Sequence, residues 1–255
     1  MGRSDAGDGF PSPARILTRV ARPGPVALVG SGEYLPAMLE VEAALIAGRS
    51  PKYVQLPTAA GKEGSASVSR WIALGAQQAA RLGVEAVPVM VLDHDSAEDP
   101  GNAARVAGAG LIYLSGGSPA HLADSLRGTR VWAAILDEWR AGAALAGCSA
   151  GAMALTSWVP DLRRLTREPR SGLEVVPRLR VIPHFDRMRR WVPGMSRWAA
   201  AHLPAGVTLV GIDEETAIVS EDADLARWVV RGRQRAWLLS PDGRRSLEAG
   251  EEFVL

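Results

Sequence analysis

Short, unbroken apolar runs alternate with longer stretches of helical spacing through the first 160 residues. Strands are predicted at 25–30, 52–57, 84–92, 110–115 and 143–147, and helices at 35–47, 67–82, 97–107, 119–126 and 131–140. A run such as Pro25-Val-Ala-Leu-Val-Gly30 lacks the polar alternation of a half-exposed strand and reads as a buried one. Strands alternating with helices imply βαβ units, right-handed crossovers and a mostly parallel sheet, hence a three-layer α/β/α fold. The last third changes character. Strands are predicted at 179–183 and 207–212, separated by a Trp-rich helix over 191–203. Four short strands follow at 216–220, 227–230, 235–239 and 251–255, split by Gly232 and Asp242-Gly243. That turn spacing predicts an antiparallel meander or hairpins closing one edge of the sheet.

Composition narrows the class. The chain has 255 residues, 47% of them apolar, which excludes disorder over most of its length. Its 29 basic and 28 acidic side chains leave a net charge of +1, so no global field draws it to nucleic acid or an anionic membrane. Cys148 is the lone cysteine and the four histidines are scattered, which excludes a disulfide framework and a Cys-rich zinc site and fits a reducing, cytoplasmic setting. Residues 1–23 are polar and Gly-rich and are expected to form a loose tail, with 24–255 a single domain. No charge occurs between Arg140 and Asp161, but that stretch is rich in Ala, Gly, Ser and Thr and is broken by Gly142, Gly147, Gly151 and Pro160. It reads as strand, turn and helix rather than a membrane span.

The strongest chemical signal is Gly147-Cys148-Ser149-Ala150-Gly151, a G-x-S-x-G motif between a predicted strand and a small-residue helix. There a serine sits on a cramped turn, its hydroxyl projects beyond the sheet edge, and the helix N-terminus offers free N–H groups to an oxyanion. Cys148 is a competing nucleophile, but a cysteine elbow would want glycines at 146 and 150, where alanines stand. Of the four histidines, His184 in Val181-Ile-Pro-His-Phe-Asp-Arg187 is best placed as a base, at a strand end before a loop. His202 reads as a surface or capping group, His121 lies inside a helix, and His94 between Asp93 and Asp95 reads as a solvated loop, with no metal expected. The Ser115-Gly116-Gly117-Ser118 turn could supply another oxyanion donor. Gly30-Ser31-Gly32 begins like a dinucleotide loop, yet position 35 is Leu where that fingerprint needs Gly, so no cofactor is expected. Arg187, followed by Arg189 and Arg190, is the first candidate for binding a peptide terminus; Glu214 and Glu215 are others.

Four pieces together resemble the serine hydrolase family of cyanophycinase and aspartyl dipeptidase (peptidase E). They are Leu114-Ser-Gly-Gly117, Gly147-Cys-Ser-Ala-Gly-Ala152, Gly172-Leu173 with Val181-Ile-Pro-His-Phe-Asp186, and Gly211-Ile-Asp-Glu-Glu-Thr-Ala217. The resemblance implies a class I glutamine amidotransferase-like fold and an active site in the order Ser, acid, His. Ser149 would be the nucleophile and His184 the base, with oxyanion donors at Ala150, Gly116 and Gly117. Asp161 and Glu168 both qualify as the acid, and Asp161 is favoured because it follows Pro160 where the chain emerges from the uncharged segment. Glu168, among Arg163, Arg164, Arg167 and Arg170, reads as a solvated carboxylate. The expected function is hydrolysis of amide bonds in short peptides, with a small peptide or amide as substrate and a homodimer admissible. The alternatives are a cysteine-type glutamine amidotransferase using Cys148 and a catalytically silent small-ligand-binding protein.

Overall fold

The computed structural model describes residues 22–160, 169–191, 200 and 203–255. Five strands, β1 (Val26–Val29), β2 (Lys52–Leu56), β3 (Glu85–Pro88), β4 (Leu111–Leu114) and β5 (Ala144–Cys148), pair in parallel in the order β1-β5-β4-β2-β3. Successive side chains of a strand point to opposite faces. Leu28, Val54, Ile112, Leu114 and Leu145 therefore meet one core with helices α5 (Pro119–Leu126), α6 (Arg130–Arg140) and α7 (Ala150–Leu155). Val29, Tyr53, Leu111, Tyr113, Ala146 and Cys148 meet the other, against α1 (Leu39–Ile46) and α2 (Ser65–Leu82). Burial on both faces is why these strands read as continuous apolar runs. Beyond β1 the sheet continues antiparallel through β8 (Thr216–Ser220), β9 (Arg227–Gly232) and β12 (Glu252–Val254). The molecule is a layered α/β structure built on a large, mostly parallel sheet.

Three features differ from the sequence reading. The helix expected over 97–107 is two helices, α3 (His94–Ala97) and α4 (Pro100–Val106). Asp99 is extended and caps α4, accepting the Asn102 N–H at 2.8 Å, while Pro100 occupies the first turn; a proline disfavours helical backbone before it and starts a helix well. The C-terminal strands do not all close one sheet. A second, four-stranded sheet forms in the order β11-β10-β7-β6 from β6 (Leu179–Ile182), β7 (Thr208–Ile212), β10 (Ala236–Ser240) and β11 (Gly243–Leu247), around Trp158, Ile182, Phe185, Leu209 and Leu239. Strand β11, Gly-Arg-Arg-Ser-Leu, carries no apolar alternation and is held by its pairing with β10. Finally, His184 is followed by helix α8 (Phe185–Trp191) rather than a loop.

The expected tail lies almost wholly, and the Trp-rich helix largely, outside the described residues. Among the described residues no helix is long and apolar enough to cross a membrane. The uncharged stretch after Arg140 divides into a turn, β5 and α7.

Candidate active site

Parallel strands deliver their C-terminal ends to one edge of a sheet, and the site collects there. Ser149 joins β5 to α7 at φ 49° and ψ −102°, far from the ordinary wells, and its N–H donates to the Val29 carbonyl at 2.9 Å. Two glycines make this turn sterically possible. A Cβ on Gly147 would stand 2.5 Å from the carbonyl carbon of Gly151, and one on Gly151 would stand 2.4 Å from the Leu114 carbonyl oxygen. Strand and helix thus approach with no room for a side chain, and the serine is pushed out at their junction. A non-glycine residue held in such backbone costs about 1–3 kcal/mol, tolerated where the surroundings over-determine it.

His184 leaves β6 at φ 49°. Its N–H reaches the Gly30 carbonyl of the main sheet at 3.3 Å, and its own carbonyl accepts the N–H groups of Arg187 and Met188 at 3.0 and 2.7 Å. The ring is pinned from both sides. Nε2 lies 3.0 Å from Ser149 Oγ and Nδ1 lies 2.9 Å from Glu214 Oε1. A carboxylate can only accept, so Nδ1 carries the proton and Nε2 is left as the acceptor for the serine hydroxyl. The other oxygen of Glu214 meets the Arg187 guanidinium at 2.8 Å, and the Glu214 N–H donates to Asp186 Oδ1 at 3.1 Å.

The carboxylate on the ring is therefore not one of the two expected. Asp161 and Glu168 both lie outside the described residues, and the position they were expected to fill on Nδ1 is occupied by Glu214, which comes after His184 in the chain. The order is Ser, His, Glu. Strands β6 and β7 are parallel neighbours with Ile182 beside Gly211, so residues just past each end emerge together. His184 is two residues beyond the end of β6 and Glu214 two beyond the end of β7. Gly211-Ile-Asp-Glu-Glu is visible in the sequence and Glu214 was expected to meet a peptide terminus; its place on the His184 ring follows only from the pairing of β6 with β7. Arg187, expected to meet a peptide terminus, instead pairs with this carboxylate.

The Gly116-Gly117 turn lies against the elbow, since a Cβ on Gly116 would fall 3.7 Å from that of Ser149. Gly116 is nevertheless unavailable as an oxyanion donor: its N–H donates to Glu33 Oε1 at 2.9 Å. The N–H groups of Gly117 and Ala150 have no acceptor among the described residues. Cys148 is fully buried, its side chain directed into the core on the α1 and α2 face, where its thiol donates to Glu33 Oε2 at 2.8 Å. Burial first, and the neighbouring Glu33 second, push that thiol's pKa up, which disfavours the thiolate. His121 Nε2 bonds the Leu92 carbonyl at 2.7 Å, and Asp93 next to His94 caps α3 by accepting the Ser96 N–H at 2.9 Å. His202 and the side chains of Arg189 and Arg190 lie outside the described residues.

Fold and strand-edge site together make this a layered α/β protein that presents a serine, a histidine and a carboxylate in one hydrogen-bonded row. The sequence model of Peptidase family S51 matches residues 26–227, and the chain belongs to that family, the peptidase E and cyanophycinase family. It is therefore a peptidase-type hydrolase. Among solved structures it is similar to a peptidase from an acI-B1 Actinobacterium, with 40% identity over 92% of this chain and 98% of the other, and a TM-score of 0.85. It shares its fold, at 17% identity and a TM-score of 0.59, with a putative peptidase E protein from Listeria monocytogenes EGD-e, over 83% of this chain and 100% of that one. No curated protein matches it.

Proposed function

We propose that the protein is a serine peptidase acting on short peptides, with Ser149 as nucleophile, His184 as general base and acid, and Glu214 as the carboxylate that orients the imidazole. The observation carrying this reading is the unbroken relay from Ser149 Oγ through His184 to Glu214, at 3.0 and 2.9 Å, on an elbow whose backbone is strained. Ser149 Oγ attacks the scissile carbonyl carbon as its proton passes to His184 Nε2, and Glu214 steadies the imidazolium so formed. The carbonyl oxygen gathers negative charge at the N–H groups of Gly117 and Ala150, the latter at the first turn of α7. Nε2 then protonates the leaving amine. Water, deprotonated by the same nitrogen, releases the acyl group and restores the serine.

A cysteine mechanism at Cys148 is disfavoured by the thiol's burial on the far face and its raised pKa. The lone cysteine also supports a reducing, cytoplasmic setting for the activity. The test combines a fluorophosphonate probe with turnover of a dipeptide and isopeptide panel. The label is expected on the Ser149 peptide, and Ser149→Ala is expected to lose both label and nearly all turnover. Full turnover in that variant, or inactivation by a thiol reagent at Cys148, would overturn the reading.

A further inference from the structure

Behind the elbow lies a carboxylate for which the relay has no use. Glu33 follows β1 between Gly32 at φ 87° and Tyr34 at φ 64°, and is 8% exposed. Its two oxygens have different partners: Oε1 accepts the Gly116 N–H at 2.9 Å and Oε2 accepts the Cys148 S–H at 2.8 Å. Those partners are not equivalent parts of the fold. Gly116 immediately precedes Gly117, and Cys148 stands two residues before Ala150, so one side chain ties together the two backbone segments whose N–H groups have no acceptor among the described residues. The neighbouring side chain adds a third tie, with Tyr34 Oη 2.7 Å from Ser115 Oγ. The glycine at 116 fits this arrangement, because a Cβ there would stand 2.7 Å from Glu33 Oε1.

We infer that Glu33 is a positioning residue of the oxyanion site: by holding the Gly116 N–H and the Cys148 thiol it restrains the two backbone segments that carry the Gly117 and Ala150 N–H groups, the donors that the proposed mechanism directs at the oxyanion. A Gly-Gly turn has the largest backbone freedom of any dipeptide, and Gly117, at φ 138°, adopts a conformation other residues reach only with strain. Left to itself such a turn would sample orientations in which its donor points elsewhere. A buried carboxylate is costly unless its hydrogen bonds are made, and making them here locks the turn before substrate arrives. Preorganisation of this kind is what gives backbone donors their catalytic effect, since no reorientation is then needed as charge develops.

The inference rests on the serine-peptidase reading, and its test separates the two. Fluorophosphonate places a phosphoryl oxygen where the oxyanion would lie, so its labelling rate reports on the donors directly. Labelling rate, kcat and KM are compared for the unaltered protein, Glu33→Ala, Glu33→Asp and Glu33→Gln, with Ser149→Ala as control and melting temperature as the measure of folding. Glu33→Ala is expected to slow labelling and kcat together by on the order of 10²-fold, as when one oxyanion donor is lost, with KM little changed. Glu33→Asp, one methylene short of its partners, should slow both as well and stands in if the alanine variant does not fold. Glu33→Gln should recover most of the rate, because its amide oxygen still accepts the Gly116 N–H while its NH₂ faces the Cys148 sulfur. Labelling at the unaltered rate in the folded Ala or Asp variant overturns the inference, as does a rise in KM alone or a failure of Gln to recover. Absence of label at Ser149 in the unaltered protein sinks the serine-peptidase reading instead.

Discussion

Ser149 and His184 both sit at φ 49°, and each is held there by a bond to the end of β1: Ser149 N–H donates to the Val29 carbonyl and His184 N–H to the Gly30 carbonyl. The two strained residues face one another because both are anchored to the end of β1. Glu214 completes the relay, so Glu214→Gln should lower kcat by about 10³–10⁴-fold with the melting temperature nearly unchanged, because an amide presents a donor as readily as an acceptor to Nδ1 and no longer stabilises the imidazolium. Asp161→Asn should leave kcat where it was. Steady-state kinetics on the best substrate of the panel decides between the two carboxylates. Arg187 touches the same glutamate, through a side chain that is 57% exposed. Arg187→Ala is therefore expected to reduce kcat by on the order of tenfold while KM stays within about twofold, the signature of a group that steadies the machinery. A rise in KM at constant kcat would return Arg187 to the substrate.

The elements explain how this precision is reached with so few side chains. Past β7, three consecutive carboxylates fan out to different elements. Asp213 accepts the Trp237 Nε1–H of β10 at 3.0 Å, Glu214 takes His184, and Glu215, at φ 52°, meets Arg233 at 3.2 Å just beyond β9. Both sheets thus fix the segment that carries Glu214. The elbow depends on contact instead. Gly147→Ala and Gly151→Ala would each drive a methyl group into backbone, at 2.5 and 2.4 Å, where no flexible side chain can yield. Each is expected to destabilise the fold by about 1–3 kcal/mol or more and to slow Ser149 labelling; urea unfolding of the purified variants checks the first effect. Gly83, which ends α2 at φ 69° with nothing near its missing Cβ, supplies the comparison: Gly83→Ala strains the turn but leaves labelling intact.

At the scale of the molecule, the layer between the sheet and helices α1 and α2 is more polar than a core usually is. Tyr34, Tyr53 and Tyr113 cluster there, with Tyr53 donating to Glu42 Oε2 at 2.8 Å. Burial pushes the Glu42 carboxyl up to about 7. A raised carboxyl favours the folded state in its protonated form, so this contribution is complete below the unfolded value near 4.5 and is lost as pH rises to about 7. Glu42→Gln should accordingly match the unaltered protein near pH 4.5 and become the more stable of the two above pH 7, by up to roughly 3 kcal/mol. Melting curves across that range test the sign, and a constant difference between the two proteins would refute it. The legible part of the protein was whatever is written locally. Continuous apolar runs declared doubly covered strands, and Gly147-Cys-Ser-Ala-Gly151 declared a strand-to-helix turn too tight for side chains, so the parallel sheet and the candidate serine could be read directly. Glu214, the loss of Gly116 as a donor and the second sheet could not, because each depends on which strand ends lie side by side. The pairing of β6 with β7 puts histidine and glutamate together, and a carboxylate 83 residues before Gly116 claims its N–H. Periodicity records how a segment meets its surroundings, but only the folded chain decides what those surroundings are.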